Sequence, residues 1–416
     1  MISVHEAQQQ ILSFFSSTEL THIPLIQAEG RILAQDCMAN IDLPPFDNSA
    51  MDGFALIAQD TLNATLENPV YLKVVADIPA GSPSDAVISN GKAARIMTGA
   101  SIPSGADTVV MVEATDCDYR TPGNSPPEKV AIYQPTKLGT NIRYKGEDIR
   151  CGEKIIQSGS NLRPQDLGIL AMIGMAQVPV HRTPVMALLS SGDELITADA
   201  PLTNGKIRDA NTYTLTACAH KTGSKIIQLG IVSDDRVEIK SALDRAVEEK
   251  VDMIVSSAGV SVGAFDFVKE VVEEQGHLEF WKVNVRPGKP LAFGSYRGIP
   301  FFGLPGNPVS AFIGFELFVQ PVLQKMSGST SFHHPRLIAR LDEEITSDGR
   351  ESYLRALLIN QNGYWIAKLA EHQGSGNLLS LVRANALLIV PSGVKSLPAG
   401  SKLRYWLPEL ILFFST

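Results

Sequence analysis

Between residues 180 and 327 the apolar and polar positions change period repeatedly. Short unbroken apolar runs, VMALLSSG (185–192), KIIQLGIV (225–232) and MIVSSAGV (253–260), alternate with stretches whose apolar residues recur at helical spacing. In DRVEIKSALDRAVEEK, Ile239, Leu243, Ala246 and Val247 form one apolar stripe. NTYTLTACAHKTG reads as a helix capped by Asn211 and stopped by Gly223, and DFVKEVVEEQG as a helix ending at Gly276. A hairpin-like EFWKVNVRPGKPLAFG and a short strand GIPFFG follow. In GLPGNPVSAF (303–312) Asn307 is a favoured N-cap type, and Pro308 falls at the first helical position, where its missing N–H loses nothing. Strands alternating with helices predict βαβ units, hence a mostly parallel sheet covered on both faces.

The flanks differ in texture. Residues 1–45 open with a helical pattern. From 46 to 145 Gly and Pro are frequent and short β-like runs appear: VYLKVVADI, DTVVMVEA and KVAIY. GEKIIQSGSNLRPQDLGILAMIG then predicts a strand, a turn and a helix that rejoin the N-terminal part. From about 331 the helical pattern disappears. RLIARLDEEI, YLRALLI, YWIAKLA, ALLIVPSG and KLRYWLP, with ELILFFST as a closing strand, predict a small all-β sandwich or barrel. The boundaries expected are 1–45 with 146–179, an inserted β-rich domain at 46–145, an α/β domain at 180–328 and a β domain at 329–416.

Composition narrows the classes. With 416 residues, 44% of them hydrophobic and 19% charged, the chain has material for several cores. A formal net charge of −8 argues against broad nucleic-acid or anionic-membrane binding. MISVHEAQQQILSFF lacks the basic and long apolar regions of a signal peptide, and no uncharged run reaches membrane-spanning length, so a cytoplasmic protein is expected. Cys37, Cys117, Cys151 and Cys218 are scattered singly, which points to reduced thiols rather than a zinc site or a disulfide framework.

Candidate chemistry collects where the parallel strands end, since ligands of open α/β sheets sit outside the carboxyl ends. The four exits are SSGDEL, SDD, SSAGVSVGAFD and GLPGNP. They offer the small residues Ser257, Gly259, Ser261, Gly263, Pro305, Gly306, Asn307 and Pro308, and the carboxylates Asp193, Glu194, Asp234, Asp235 and Asp266. Asp234, Asp235 and Asp266 equally suit helix caps; Asp193 and Glu194 precede no helical pattern. The hairpin brings Lys282, Arg286 and Lys289 within eight residues, either an exposed basic loop or an oxyanion grip. Carboxylates beside cations suit Mg²⁺ and phosphate, while Walker A and G-x-G-x-x-G sequences are absent. Three further polar breaks stand out: DNSAMDGFAL with Asp47 and Asp52, RIMTGASIPSG with Thr98, and RYKGEDIRCGE with Glu147 and Asp148. Each also reads as an ordinary turn.

In this order, NSAMDGFAL, IMTGASIPSGADTVVMVE, KGEDIRCGE, SSGDEL, GVSVG, PGKPLAFG and GLPGNPVSAF resemble the molybdopterin molybdenumtransferase family, the MoeA-type molybdenum insertases related to the E domain of gephyrin. The likeness extends through GRESYLRA and QGSGNLLSLVRANALLIVPSG. It implies a multidomain α/β and β fold: a discontinuous linker domain, an inserted β-rich domain, a central α/β molybdopterin-binding domain and a C-terminal small β-barrel. It implies a homodimer whose site is shared between subunits, and insertion of molybdate into adenylylated molybdopterin with Mg²⁺-dependent release of AMP. Asp52, Thr98, Asp148, Glu194, Asp235 and Asp266 match the family's site positions, with Asp193, Glu194, Asp235 and Asp266 as Mg²⁺ ligands and Lys282, Arg286 and Lys289 on phosphate and molybdate. Transient contact with a molybdopterin adenylyltransferase and with molybdoenzymes or their chaperones is also implied; nucleic acid and membrane are not. Ala258, Ala264 and Arg286 depart from the residues usual in the family. The competing readings are a non-catalytic cofactor carrier and a different Mg²⁺-dependent nucleotide or pyrophosphate hydrolase on the same α/β domain.

Overall fold

A six-stranded sheet is organised by residues that are apolar on both faces. The computed structural model describes residues 1–117, 125–258, 267–332 and 336–406. In chain order this sheet contains β1 (Val185–Ser191), β2 (Lys225–Val232), β3 (Met253–Ser257), β4 (Gly276–Lys282), β5 (Pro290–Tyr296) and β6 (Ile299–Leu304). Their spatial order is β2-β1-β3-β6-β5-β4. The first four are parallel, and the hairpin strands β4 and β5 run antiparallel at one side. Along β1, Met186 and Leu188 face one core while Ala187 and Leu189 face another. That arrangement is why the run reads as continuously apolar rather than alternating.

Helices cover both faces. α1 (Asn211–Lys221) sends Leu215, Cys218 and Ala219 into the first core. α2 (Arg236–Glu248) and α3 (Phe267–Gln275) bring Ile239, Leu243, Val268 and Val271 into the second. α4 (Pro308–Gly314) follows β6 and buries Val309, Ala311 and Ile313. The N-terminal helix Val4–Ser13 closes its first turn with a capping box between Ser3 and Glu6, and Val4, Ala7 and Ile11 join the first core.

One expected cap is corrected, and the other holds in position without its side-chain bond. Asn211 is the first residue of α1, not its cap; the Asp209 carboxylate takes the N–H of Asn211 at 2.9 Å and of Thr212 at 3.1 Å. Asn307 does occupy the cap position of α4, with Pro308 next, but its side chain makes no capping bond. The N–H of Val309 goes instead to the carbonyl of Ser375, 3.1 Å away.

The C-terminal strands Arg336–Leu341, Glu351–Gln361, Tyr364–Leu369, Ala386–Val390 and Lys402–Trp406 close on themselves as a five-stranded barrel, because the second pairs with both the third and the fourth. Val285–Arg286, inside the β4–β5 connection, adds to it alongside Glu351–Ser352. The region is not wholly β as expected, since Leu379–Arg383 forms one helical turn. Tyr353, Leu387, Ile389 and Trp406 pack into the first core with Phe302 and Val309, so barrel and sheet share apolar contacts. ELILFFST lies outside the described residues. Among those described, no helix is long and apolar enough to cross a membrane.

These elements belong to a unit of Met1–Gln35, Ser158–Leu167 and Gln177–Thr416; the other unit is Asp36–Gln157 with Gly168–Ala176. The second is built on a five-stranded sheet ordered Thr108–Met111, Gly53–Leu56, Lys92–Ile96, Val70–Ile78, Lys129–Ile132. Its strand Lys154–Ile156 returns to pair with Cys37–Met38. A Cβ on Gly53 would lie 2.0 Å from the carbonyl oxygen of Val110 on the neighbouring strand. Gly53→Ala therefore forces the two strands apart, and we expect a loss of about 2 kcal/mol or more. Chemical denaturation of the purified variant checks this.

Candidate functional site

Three of the parallel strands open on a cleft of about 480 Å³ at the carboxyl edge of the sheet. Glu194 lines it from the β1 exit, Ser257 and Ala258 from the β3 exit, and Pro305, Gly306, Asn307 and Pro308 from the β6 exit. β1 lies between β2 and β3, so chain crossovers leave it in both directions and their carboxyl ends form a crevice. Gly259, Ser261, Gly263 and Asp266 lie outside the described residues. Ala258 adopts φ +83, a region in which a Cβ is strained.

Asp209 and Asn211 also line this cleft; the sequence singled out Asn211 only as a helix cap and Asp209 not at all. Asp209 Oδ2 accepts from Thr212 Oγ1 at 2.5 Å, completing its hold on the start of α1. Asn211 Nδ2 donates to Ser257 Oγ and to the Gly306 carbonyl, both at 2.7 Å, tying two strand exits together. The signal available for them was two polar side chains, Asp209 and Asn211, at the start of the NTYTLTACAHKTG helix.

The acidic residues gather beside the β1 and β2 exits. Asp193 Oδ1 accepts from the N–H of Asp234 at 3.1 Å, and Lys206 Nζ donates to the Asp193 carbonyl. The Glu194 carboxylate folds back over Gly192. Partial burial, with Asp193 and Glu194 as like-charged neighbours, raises the pKa of Asp234 above the ordinary aspartate value. Asp235 caps α2, its Oδ1 accepting from Val237 N at 2.9 Å and Glu238 N at 3.0 Å. Among the described residues no group of three or more His, Cys, Asp or Glu is arranged to hold a metal ion. Mg²⁺ commonly takes one or two carboxylates and completes its octahedron with water and substrate phosphate. The mutually repelling Asp193, Glu194 and Asp234 fit that sparse mode, because a cation relieves their repulsion.

A second cleft, about 380 Å³, adjoins the first and shares Pro290, Pro305 and Asn307 with it. Arg286, Lys289 and Arg350 line it, with Ser310, Gln373 and Ser375. Asp348 accepts from Arg350 Nε at 3.0 Å and lies 3.8 Å from Arg286; Arg350 first, and Arg286 beside it, hold its carboxyl below the usual range. Lys289 makes no ion pair among the described residues, so three cations face one carboxylate. Lys282 lines neither cleft. Behind the 373–375 loop sits Arg355, 1% exposed. Its Nε donates to Ser380 Oγ and its Nη2 to the Gly374 carbonyl, each at 3.0 Å. No carboxylate pairs with it among the described residues, and burial, helped by Arg286, pulls its pKa down to about 10.

In the other unit two motifs far apart in sequence meet. Asp52 Oδ1 accepts from Thr98 N at 2.6 Å and from Thr98 Oγ1 at 2.7 Å. Both residues are exposed at the end of the sheet. Asp148 instead takes Arg143 Nη2 at 2.6 Å as an exposed ion pair, and no described contact joins it to Asp52 or Thr98.

A parallel-sheet edge with carboxylates on one side and a cation-lined cleft on the other, fused to a closed barrel and a separate β unit, defines a multidomain protein built for a ligand with anionic groups. Residues 187–325 match the family model described as "Probable molybdopterin binding domain". Residues 2–174 match the MoeA N-terminal region (domain I and II), and 338–407 the MoeA C-terminal region (domain IV). Molybdopterin molybdenumtransferase 2 of Mycobacterium tuberculosis is 37% identical over 98% of this chain and 99% of its own length. The Nostoc molybdopterin molybdenumtransferase is 38% identical over 91% of this chain and 86% of its own. A crystal structure of the molybdopterin biosynthesis MoeA protein from Pyrococcus horikoshii superposes with a TM-score of 0.79 at 31% identity, covering 98% of this chain and 100% of that one. The chain belongs to the MoeA family of molybdopterin molybdenumtransferases.

The acidic cluster has a pH signature. A carboxyl whose folded pKa is raised binds more protons folded than unfolded, so its ionisation destabilises the fold as pH rises from the ordinary aspartate value to the raised one. That penalty is complete above the window and absent below it. Asp234→Asn therefore melts at a higher temperature than wild type at pH 7, and the difference narrows as pH falls through the aspartate range. Thermal melts across pH test this; no gain at pH 7 would contradict it.

Proposed function

We propose that this chain is a molybdopterin molybdenumtransferase of molybdenum cofactor biosynthesis that inserts molybdate into adenylylated molybdopterin and releases AMP in a Mg²⁺-dependent step. The observation that carries the reading is the shared wall of the two clefts. A ligand whose ring lies along the strand exits beside Glu194, Ser257 and Pro305–Pro308 brings its anionic part to Arg286, Lys289 and Arg350.

The residues divide the work by charge. Arg286 presents a forked donor to a tetrahedral oxyanion and Lys289 a point charge; Arg350, whose nitrogens already donate to Asp348 and to the Val285 carbonyl, adds positive potential, while Ser310 and Ser375 add hydroxyls. Arg355 reinforces the positive potential and holds the 373–375 loop through Gly374. Glu194 and Asp193, with Asp234 beside them, would hold Mg²⁺, which when bound neutralises charge on phosphate oxygens as the phosphoanhydride breaks. Asp235 reaches the same edge but spends Oδ1 on capping α2. The prolines at 305 and 308 stiffen the wall. Asp266, Ser261 and the neighbouring glycines keep the roles the family likeness implies.

Asp52 and Thr98 enter the same reaction through a homodimer, each site combining the strand edge of one copy with the Asp52–Thr98 pair of the other. Met51 and Met111, exposed beside Asp52, suit a surface covered by a partner. Delivery by a molybdopterin adenylyltransferase and transfer to molybdoenzymes or their chaperones complete the reading.

Incubation with adenylylated molybdopterin is expected to release AMP only when both molybdate and Mg²⁺ are present; no AMP with both added would overturn the reading. Replacing Arg286 and Lys289 together with Gln is expected to raise the molybdate concentration needed for half-maximal AMP release by tenfold or more, on the order of two lost charge-assisted hydrogen bonds. Asp52→Ala and Glu194→Ala should each lose turnover while keeping a cooperative melt. Co-expressed, they should regain about a quarter of wild-type activity, because one site in each mixed dimer carries both native residues. A mixture as inactive as its parents would argue against a shared site.

A further inference from the structure

We propose that Asn211 is a specificity-determining residue of the strand-edge cleft, its Oδ1 accepting a hydrogen bond from an amino group on the heteroaromatic ring bound there. The proposal rests on the reading of that cleft given above and deepens it.

Asn211 is 8% exposed and lines the cleft. Its amide is held in one orientation: Nδ2 donates at 2.7 Å to the Gly306 carbonyl, which can only accept, and to Ser257 Oγ. Exchanging nitrogen and oxygen would set two carbonyl oxygens against each other. Its backbone is fixed as well, since Asp209 takes its N–H at 2.9 Å. The side-chain oxygen at the end of this rigid assembly is buried and, among the described residues, meets no hydrogen-bond donor. Buried side-chain acceptors in folded proteins nearly always have a partner, and one left without destabilises the fold. A scaffold that clamps an amide on its nitrogen side and leaves the oxygen unserved lacks one donor. A ligand filling the cleft that Asn211 lines would bring that donor by displacing what now covers the oxygen.

The chemistry of the donor follows from the acceptor. A carbonyl oxygen favours a ring amino group and repels a ring oxo group at the same place. Adenine and pterin both carry an exocyclic amine, so either end of an adenylylated pterin supplies the donor, and each has an oxo counterpart that does not.

Calorimetric titration of the full-length wild-type chain with AMP against IMP, and with pterin against lumazine, tests the proposal and identifies the source. In one pair the amino compound should bind at least about tenfold more tightly than its oxo analogue. In Asn211→Ala that ratio should fall toward one. A residue that merely clamps Ser257 to Gly306 would weaken both members equally and keep the ratio. Equal binding within both pairs by the wild type, or an unchanged ratio in the variant, overturns the proposal while leaving the assignment of the cleft intact. Failure of all four compounds to bind removes that assignment and the proposal with it.

Discussion

Parallel pairing imposes a direction that the rest of the molecule follows. Because β1, β2, β3 and β6 run the same way, each must be re-entered from the opposite end, and helices or the β4–β5 hairpin do so. Helices on both sides bury both faces of the sheet, which leaves its carboxyl edge as the place where backbone ends and small residues meet solvent. Glu194, Ser257 and Gly306 come together for that reason and not through any local affinity between them. The constraint is geometric before it is chemical.

Charge is then distributed along that edge by elements with different duties. The turn after β1 and the loop after β2 bring carboxylates close enough to disturb Asp234. The β4–β5 connection and the barrel bring arginines and a lysine to the adjoining cleft. Asp348 partly neutralises two of them, enough to orient their guanidinium groups and too little to cancel their field. Arg355, buried behind with neutral acceptors alone, adds to the imbalance. An acidic edge next to a basic hollow is an arrangement that tolerates a ligand carrying both a cation and an oxyanion better than either alone.

Much of this was readable from the chain. VMALLSSG and MIVSSAGV announced buried strands because residues facing opposite helices are both apolar, and the glycine, serine and proline at their ends marked the exits. The Asp52–Thr98 contact lies behind two polar breaks that sequence could single out but not join, since 46 residues separate them. What was misread turns on hydrogen bonds between distant segments. Asn307 holds the cap position that its type suggested, but the Ser375 carbonyl, far along the chain, takes the donor of Val309 in place of its side chain. Asn211 looked like a cap because Asp209, two residues earlier, is an equally good acceptor and only the backbone decides between them. Lys282 stood near Arg286 in sequence, yet it lines neither cleft. The 373–375 loop entered the sequence reading only as the start of QGSGNLLSLVRANALLIVPSG, with nothing local to place it; its position comes from Arg355.

The bond from Val309 to Ser375 joins the start of the helix after β6 to the barrel, and Tyr353, Leu387 and Trp406 continue the same apolar core across that junction. Regions matched by separate family models, 187–325 and 338–407, thus lie in one compact unit and share one apolar core where they meet. The barrel is not a detachable appendage. Any exchange of modules during descent has to preserve this seam, because a barrel taken from elsewhere would have to supply both the Ser375 carbonyl and the apolar side chains that meet Phe302 and Val309.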